Sequence, residues 1–319
     1  MLNILNLIDD ARCFETVRAM HWPQGVTCPH CHSPQVTKQG HDESQPARQK
    51  YECTVCRKRF DDLTGTIFAG HHQPLRVWML CLYFMGLNLS NEQIAHELDL
   101  NSDDALKMTT QLREGIVERK PEVTLSGEVE CDEVYDEVYV VAGHKGNPRR
   151  SKKKRPGRRR RLKGERGRGT LEKEKPPIFG MMQRSGEVVI TMLPNVQQNT
   201  IAPLIKRTIA KGTVVYTDEY DIYGRLTEWG YHHHTVCHSA GEFARDEDGD
   251  GLCEVHVNTI EGFWSLLRSS LRPHRGVSQE KLPLYLGLFE FVHNVRKRGK
   301  ALLGALIELL VTPTPRNAG

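Results

Sequence analysis

Acidic side chains recur at three places in the second half of the chain, in a pattern that could hold metal ions. The candidates are Asp132, Asp136, Asp218, Asn258 and Glu261. The first two lie on a predicted β-strand, the third ends another apolar strand, and the last two begin a predicted helix. Carboxylates from two strands and a helix could bind two divalent cations about 3.5–4 Å apart, which activate an attacking oxygen and stabilise a leaving one. Taken singly, each acid is more often a solvated or helix-capping residue.

Four of the nine cysteines form a second candidate metal site. They occur as two Cys-x-x-Cys pairs with 21 residues between them, namely Cys28, Cys31, Cys53 and Cys56. Each pair places two thiolates on one tight turn. Two such turns complete a tetrahedral Zn²⁺ site, which is structural because the protein supplies all four ligands. We expect Tyr51 and Phe60 to pack beneath the metal. An odd number of cysteines at this spacing indicates a reducing cytoplasm and no disulfide framework.

A third feature is a dense basic segment, residues 145–175. It contains 16 Lys or Arg and three Glu, a local charge of +13, whereas the whole chain carries +4 and the remainder therefore −9. The segment lacks the apolar residues of a core, so in isolation it should be disordered. A solvated linker is one interpretation, but the asymmetry favours an arm that binds a polyanion. The candidate phosphate-binding residues are Arg149, Arg150, Lys152, Lys153, Lys154, Arg155, Arg158, Arg159, Arg160 and Arg161.

The elements that must position these residues follow from the periodicity of the apolar side chains. A short helix is predicted within residues 1–22, followed by the cysteine module at 23–66. Residues 74–120 predict helices, with capping chemistry at Ser90, arranged either as a DNA-binding helix-turn-helix or as a plain αα-hairpin. Strands followed by helices predict an α/β core over 125–311, into which the basic segment is inserted. Its predicted strands are 178–183, 187–193 and 213–217, and its predicted helices are 200–210, 258–271 and 281–298.

Composition argues against membrane and secreted classes of protein. The longest apolar stretches, residues 77–86 and 301–311, fall short of the roughly 20 residues that cross a bilayer. The first ten residues carry two acids and no basic region of a signal peptide. With a mean hydropathy of −0.51 and 26% charged residues, the chain is predicted to be a soluble globular protein without a membrane partner.

Short motifs surround the candidate residues. In chain order they are CPHC (28–31), CTVC (53–56), GEVECDEVY (127–135), VVAGHKG (140–146), VYTDEYDIY (215–223), HVNTIEGFWSLLR (256–268) and EFVHNVR (290–296). Together they resemble the DDE transposases of bacterial insertion sequences, in the group with an N-terminal zinc ribbon and a helix-turn-helix. The resemblance covers roughly residues 20–310. It implies an RNase H-like catalytic domain and metal-dependent DNA cleavage and strand transfer at element ends.

The same resemblance implies roles for single residues. Asp132 matches the first metal ligand and Asp218 the second, while Asn258 or Glu261 would be the third. A carboxylate binds a hard cation better than an amide, which favours Glu261. Arg268 matches a basic position that could meet a DNA phosphate. The implied catalytic cofactor is Mg²⁺ or Mn²⁺, and the implied partner is double-stranded DNA, both element ends and target, bound by a homo-oligomer. The implied location is the bacterial cytoplasm, in association with the nucleoid.

One departure from the family pattern is a repeat of the motif DEVY, at 132–135 and 136–139. Asp132 and Asp136 therefore compete as the first ligand. An even shift keeps both side chains on one strand face, but about 13 Å apart at roughly 3.3 Å per residue. Only one of them can join Asp218, so the repeat leads to the hypothesis of an impaired enzyme. The alternatives to a transposase are a catalytically impaired zinc-ribbon DNA-binding protein and a non-transposing RNase H-like nuclease.

Two other polar clusters compete as metal sites. Residues 246–251 match the first half of a calcium loop, but the twelfth position is Val257, where such loops need a bidentate Glu. An acidic surface loop is therefore favoured. His232, His233 and His234 could bind a metal, but a polar turn ahead of the next strand is favoured.

Overall fold

The structure is a computed structural model that describes residues 9–135, 176–247, 249–299 and 301–312. The chain divides into two compact units, one formed by Met1–Lys120 with Arg298–Gly319 and the other by Pro121–Lys297. Asp136 and the basic segment 145–175 lie outside the described residues, so the structure says nothing of the second DEVY copy or of the arm.

The order of elements places a small β-structure and helices before an α/β unit. The helices are α1 (Asp10–His21), α2 (Leu75–Gly86), α3 (Asn91–Glu97), α4 (Ser102–Arg119), α5 (Gln198–Thr208), α6 (Asn258–Leu271), α7 (Leu282–Lys297) and α8 (Leu302–Val311). The strands are β1 (Val36–His41), β2 (Gln49–Cys53), β3 (Arg59–Asp61), β4 (Glu128–Tyr135), β5 (Pro177–Gln183), β6 (Val188–Met192), β7 (Val214–Asp218), β8 (His232–Val236), β9 (Ala244–Arg245) and β10 (Val255–His256).

The cysteine module folds around a small aromatic core. Strands β1, β2 and β3 form an antiparallel sheet. The rings of Tyr51 and Phe60 stack with their centroids 5.3 Å apart, and Trp22 packs edge-on against both. These three rings share one buried cluster with Cys28 and Cys53. The sequence predicts this packing for Tyr51 and Phe60, and the structure adds Trp22.

A buried carboxylate joins helix α1 to this module. Asp62 is fully buried and accepts hydrogen bonds from the Arg18 guanidinium at 2.8 and 2.6 Å. It also accepts from the Gln49 backbone N–H at 2.8 Å and from the Tyr51 hydroxyl at 3.1 Å. A buried charge is tolerated only where donors replace water, and these four donors do so. Burial raises the pKa of Tyr51 to about 12, so its hydroxyl keeps the proton that it donates.

Helices complete the first unit, and the last of them comes from the C-terminal end of the chain. Helix α8 buries Leu306, Ile307 and Leu310 and packs against α1, α2 and α4. The expected α/β core of 125–311 therefore differs from the structure at its C-terminal end, where Lys297 closes the second unit. The apolar run at 301–311 is nearly continuous, and such a run indicates burial without indicating the partner.

The second unit is built on a five-stranded mixed sheet with the order β6-β5-β4-β7-β8. Strands β4, β5 and β6 pair antiparallel, whereas β7 pairs parallel with β4 and β8 pairs parallel with β7. Alternate residues of the strands enter two cores, one with helices α6 and α7 and one with helix α5. The expected RNase H-like α/β fold is confirmed.

Side chains of helix α7 also form hydrogen bonds with the backbone at one edge of this sheet. Strand β6 ends the sheet, and its backbone N–H groups at Ile190 and Val188 point away from β5 toward α7. The Glu290 carboxylate accepts from Ile190 N at 3.0 Å. Asn294 accepts from Val188 N and donates to Val188 O, both at 2.9 Å. Two buried side chains one helical turn apart thus take the place of a neighbouring strand, which explains two polar positions of the EFVHNVR motif.

We predict that Glu290→Ala destabilises the second unit, because Ile190 N–H would be buried without an acceptor. The expected loss is about 1–3 kcal/mol in the free energy of urea unfolding. The matched control is Glu280→Ala, at an exposed position just before α7, which should stay within about 0.5 kcal/mol of wild type. Equal effects of the two variants would contradict the proposed edge contact.

Candidate active site and zinc centre

Two of the candidate acids lie on neighbouring parallel strands. Glu130 of β4 pairs with Tyr216 of β7, so Asp132 and Asp218, each two residues further, lie side by side on the same face of the sheet. Burial, with smaller contributions from the negative charges of Asp218 and Glu261, raises the pKa of Asp132 to about 6. Asp132 is therefore close enough to each of the other two carboxylates to be repelled by it.

Helix α6 crosses the sheet beside Asp132. The indole Nε1–H of Trp264 donates to Asp132 Oδ2 at 2.8 Å. Glu261 lies one turn before Trp264 and hence on the same side of the helix. Asn258 is the first helical residue, one turn further from Trp264, and its side chain is exposed. Arg268 lies on the exposed part of α6, beyond Trp264.

A buried glutamate that the sequence analysis did not single out fixes the start of α6. Glu130 is fully buried and accepts from the Ile260 backbone N–H at 2.9 Å and from Arg184 Nε at 2.8 Å. Arg184 also donates to the backbone carbonyls of Glu254 and His256 at 2.7 and 2.9 Å. The available signal was its position two residues before Asp132, because both side chains must point to the face that α6 covers.

The histidine triplet lies in a strand, so the favoured expectation of a polar turn was wrong. Strand β8 is the outer strand of the sheet, where half-exposed polar side chains are tolerated. His233 Nε2 lies 2.9 Å from Thr217 Oγ1, which donates to the Asp218 carbonyl at 2.7 Å. Burial lowers the pKa of His233 to about 4, with a smaller contribution from His234, so the ring is neutral at pH 7. The triplet thus supports β7 from its neighbouring strand.

Side chains of the acidic loop at 246–251 accept hydrogen bonds from nearby backbone N–H groups. Asp246 accepts from the backbone N–H groups of Gly249 at 2.6 Å and Gly251 at 2.9 Å, and Asp250 accepts from Leu252 N at 2.8 Å. These bonds fit the surface-loop interpretation rather than a calcium site.

The four cysteines have the geometry of a zinc site. Cys28 Sγ lies 3.6 Å from Cys56 Sγ, Cys31 Sγ lies 3.5 Å from Cys53 Sγ, and all four sulfur atoms are within 4.8 Å of one another. A tetrahedral Zn²⁺ with bonds of about 2.3 Å would set the sulfur atoms about 3.8 Å apart. The backbone N–H of Cys56 lowers the pKa of Cys53 to about 7, which favours the thiolate. Within the described part of the chain, no other group of three or more Cys, His, Asp or Glu side chains brings its ligand atoms this close together. The carboxylates of Asp132, Asp218 and Glu261 are therefore spaced more widely than the four cysteine sulfur atoms.

The helical pair α3–α4 has an acidic exposed surface. Ser90 begins α3 with a capping box, as predicted, and the structure adds a cap by Asn101 at the start of α4. The exposed charged side chains of the two helices are Glu92, Glu97, Asp103, Lys107, Glu114 and Glu118. A recognition helix must approach phosphates, which repel acids. The acidic surface therefore favours the plain αα-hairpin, while the DNA-binding helix-turn-helix stays a prediction.

Comparison with known proteins matches both parts of the chain to transposase families. The sequence model of the ISXO2-like transposase domain matches residues 124–294, and that of the transposase zinc-ribbon domain matches residues 8–59. A protein of the transposable element ISH50 from Halobacterium salinarum is 33% identical over 97% of this chain and 99% of its own length. This chain belongs to the ISXO2-like transposases. A transposase-like protein from Haemophilus influenzae is 29% identical over 34% of this chain and 81% of its own length.

Membership of this family decides between the functions that the sequence left open. The protein is a transposase of the insertion-sequence kind, and neither a zinc-ribbon regulator nor a non-transposing nuclease is favoured. The transposase domain contains the mixed sheet, and the zinc-ribbon domain contains the four cysteines. A search of the described helices finds none long and apolar enough to span a membrane.

We predict that the purified transposase contains one zinc ion per chain and that Cys53→Ser loses it, because three thiolates no longer close the tetrahedron. Zinc content is measured by atomic emission spectroscopy after gel filtration. Cys253→Ser, at an exposed cysteine outside the cluster, is the control and should keep the full content. Full zinc content in Cys53→Ser would contradict the assignment.

Proposed function

We propose that this transposase cleaves and joins DNA strands at the ends of its element with two Mg²⁺ or Mn²⁺ ions held by Asp132, Asp218 and Glu261. The observation that supports this most directly is the placement of Asp132 and Asp218 on adjacent parallel strands, with Glu261 on the helix above them. The donor set fits the metal, because carboxylate oxygens are the ligands of hard divalent cations. The negative charges of Asp218 and Glu261 act on Asp132, and divalent cations would neutralise this concentration of negative charge.

The chemistry of strand cleavage and transfer is in-line phosphoryl transfer, in which negative charge builds on non-bridging oxygens. A pair of divalent cations supplies the activation of the attacking oxygen and the stabilisation of the leaving one. The protein's own contribution is to hold the carboxylates in fixed positions. The two aspartates are carried by a hydrogen-bonded sheet, and α6 is attached to that sheet through Glu130 and Trp264. Rigid elements hold a catalytic geometry better than loops do.

Glu261 is the better third ligand on two grounds. Its charge acts on Asp132, and it lies one turn from Trp264, which contacts Asp132 directly. Asn258 lies a further turn toward the helix start. We likewise propose Asp132 rather than Asp136 as the first ligand, because Asp132 is level with Asp218 on the neighbouring strand.

We predict that Asp132→Asn, Asp218→Asn and Glu261→Gln each reduce Mg²⁺-dependent cleavage of element-end DNA by at least about 10²-fold. Loss of one ligand charge weakens the stabilisation of the transition state. Asn258→Ala and Asp136→Asn are the matched variants and should stay within a few-fold of wild type. A large loss in Asp136→Asn with full activity in Asp132→Asn would reverse the assignment. A wild-type protein without cleavage would support the hypothesis that the DEVY repeat impairs the enzyme.

We also propose that the basic segment is an arm that binds the DNA backbone next to these acids. In the sequence it lies in the connection from β4 to β5. Tyr135, the last residue of β4, pairs with Pro177, the first residue of β5. Tyr135 is three residues from Asp132 along β4. Its charge of +13 therefore enters the chain close to the candidate active site. Arg268, exposed on α6, could contact a phosphate on the same face. Joining two element ends favours a homo-oligomer on DNA.

We predict that deletion of residues 149–168 weakens DNA binding and flattens its dependence on salt. Each phosphate that a Lys or Arg neutralises contributes about −0.9 to the slope of log K against log salt concentration. Binding is measured by fluorescence anisotropy at several salt concentrations. The control is Asp218→Asn with the arm intact, which should keep the wild-type slope, and an unchanged slope in the deletion would exclude the arm as a phosphate contact.

A further inference from the structure

We propose that Trp264 is a positioning residue for Asp132 and that Gly180 is a glycine because the indole of Trp264 occupies the space of a side chain there. The proposal rests on the assignment of Asp132 as a metal ligand. It assigns a task to two buried residues beside the candidate metal ligand.

The contact between Trp264 and Asp132 is directional. The indole N–H can only donate, and it donates to Oδ2 of the carboxylate at 2.8 Å. Only 2% of the surface of Trp264 is exposed, and the residue lies among the apolar side chains that join α6 to the sheet. A buried ring of this size has little freedom to move, so the carboxylate is held in one orientation. Oδ2 accepts this bond, and Oδ1 would remain available to a cation.

Gly180 completes this arrangement from the neighbouring strand. It pairs with Asp132 across β4 and β5. A Cβ built at position 180 would lie 2.5 and 2.6 Å from Cη2 and Cζ2 of Trp264, and 3.0 Å from Cδ1 of Ile260. The φ angle of Gly180 lies outside the left-handed region, so its backbone does not require glycine. Space for the indole is therefore the reason that the structure gives for a glycine at this position.

The same indole fixes the rotation of α6 about its axis. The helix is attached to β4 at two points, through Ile260 N to Glu130 and through Trp264 to Asp132. Because Glu130 and Asp132 point to one face of the strand, the two bonds define both the position and the rotation of the helix. Glu261 follows Ile260 directly, so the rotation determines where its carboxylate lies relative to Asp132.

The first test measures metal binding on the zinc-loaded, full-length protein without DNA. Mn²⁺ affinity is determined by isothermal titration calorimetry for wild type and for Trp264→Phe, which removes the donor but keeps an aromatic ring. We expect affinity to fall about 10–100-fold, the usual effect of losing a partner that orients a metal ligand. Trp229→Phe, a half-buried tryptophan in the other core of the same unit, is the matched control and should bind Mn²⁺ like wild type.

The second test is a double-mutant cycle with Gly180→Ala. If the alanine acts by displacing the indole, Gly180→Ala alone should weaken Mn²⁺ binding to a similar extent. In the Trp264→Phe background it should add less than about twofold, because phenylalanine lacks the two ring atoms that the new Cβ would strike. Independent, additive effects would overturn the role given to Gly180. Gly180→Ala also keeps the proposal testable if Trp264→Phe does not fold, which urea unfolding monitors for every variant.

Cleavage kinetics separate positioning from a general loss of structure. In Trp264→Phe the Mg²⁺ concentration for half-maximal cleavage should rise with the loss of affinity, while the rate at saturating Mg²⁺ falls less. A loss of rate at all Mg²⁺ concentrations with unchanged Mn²⁺ affinity would overturn the proposal. Asp132→Asn distinguishes the two levels of inference. If it binds Mn²⁺ like wild type, the metal site itself is misassigned. If it loses binding and Trp264→Phe does not, only the role of Trp264 is refuted.

Discussion

The candidate active site depends on one face of strand β4, where a buried and a half-buried acidic side chain lie two residues apart. Glu130 and Asp132 both point toward helix α6, and each accepts a hydrogen bond from it. Burial of a carboxylate is unfavourable unless donors replace water. The need to satisfy these two groups therefore determines where α6 lies, and the position of α6 brings Glu261 to the aspartates. The parallel pairing of β4 with β7 adds Asp218 at the same level.

The zinc-ribbon domain also contains a buried carboxylate that is bonded to donors from separate elements. A module of this size has few apolar residues to bury, and its core consists of three aromatic rings and the cysteines. Two other contributions compensate. One is the cluster of four cysteines, which a bound Zn²⁺ would hold together, and the other is Asp62, whose four donors join helix α1 and strand β2 to the residue after β3. In both units, then, a buried carboxylate joins elements that are distant in the sequence.

Periodicity and motif spacing predicted much of this arrangement. Helix α6 runs over 258–271 as expected, because its apolar residues recur at helical spacing and a polar residue begins it. The zinc ligands followed from their spacing alone. The histidine triplet was misassigned because three polar residues give no strand signal, although an outer strand tolerates them. Glu130 was missed for a related reason. A single glutamate in a predicted strand is expected to face solvent, and the sequence does not show that helix α6 covers this face of β4. Spacing along a chain does not show which segments become neighbours.

The contrast between Glu130 and Asp132 explains how neighbouring acids on one strand come to have different tasks. Glu130 has a cationic partner, Arg184, whose guanidinium also lies over the ring of Tyr216 and bonds two backbone carbonyls. Arg184 therefore compensates the charge of Glu130 within the protein, and both Arg184 and helix α6 donate hydrogen bonds to its carboxylate. Asp132 accepts from neutral donors, the indole of Trp264 and the backbone N–H of Glu133, and the charged groups that raise its pKa are the acids Asp218 and Glu261. Among the residues that the structure describes, its negative charge thus has no cationic partner like Arg184, and a cation from solution can supply one. In this fold the partner of a carboxylate, more than its burial, separates a structural acid from one available to a metal.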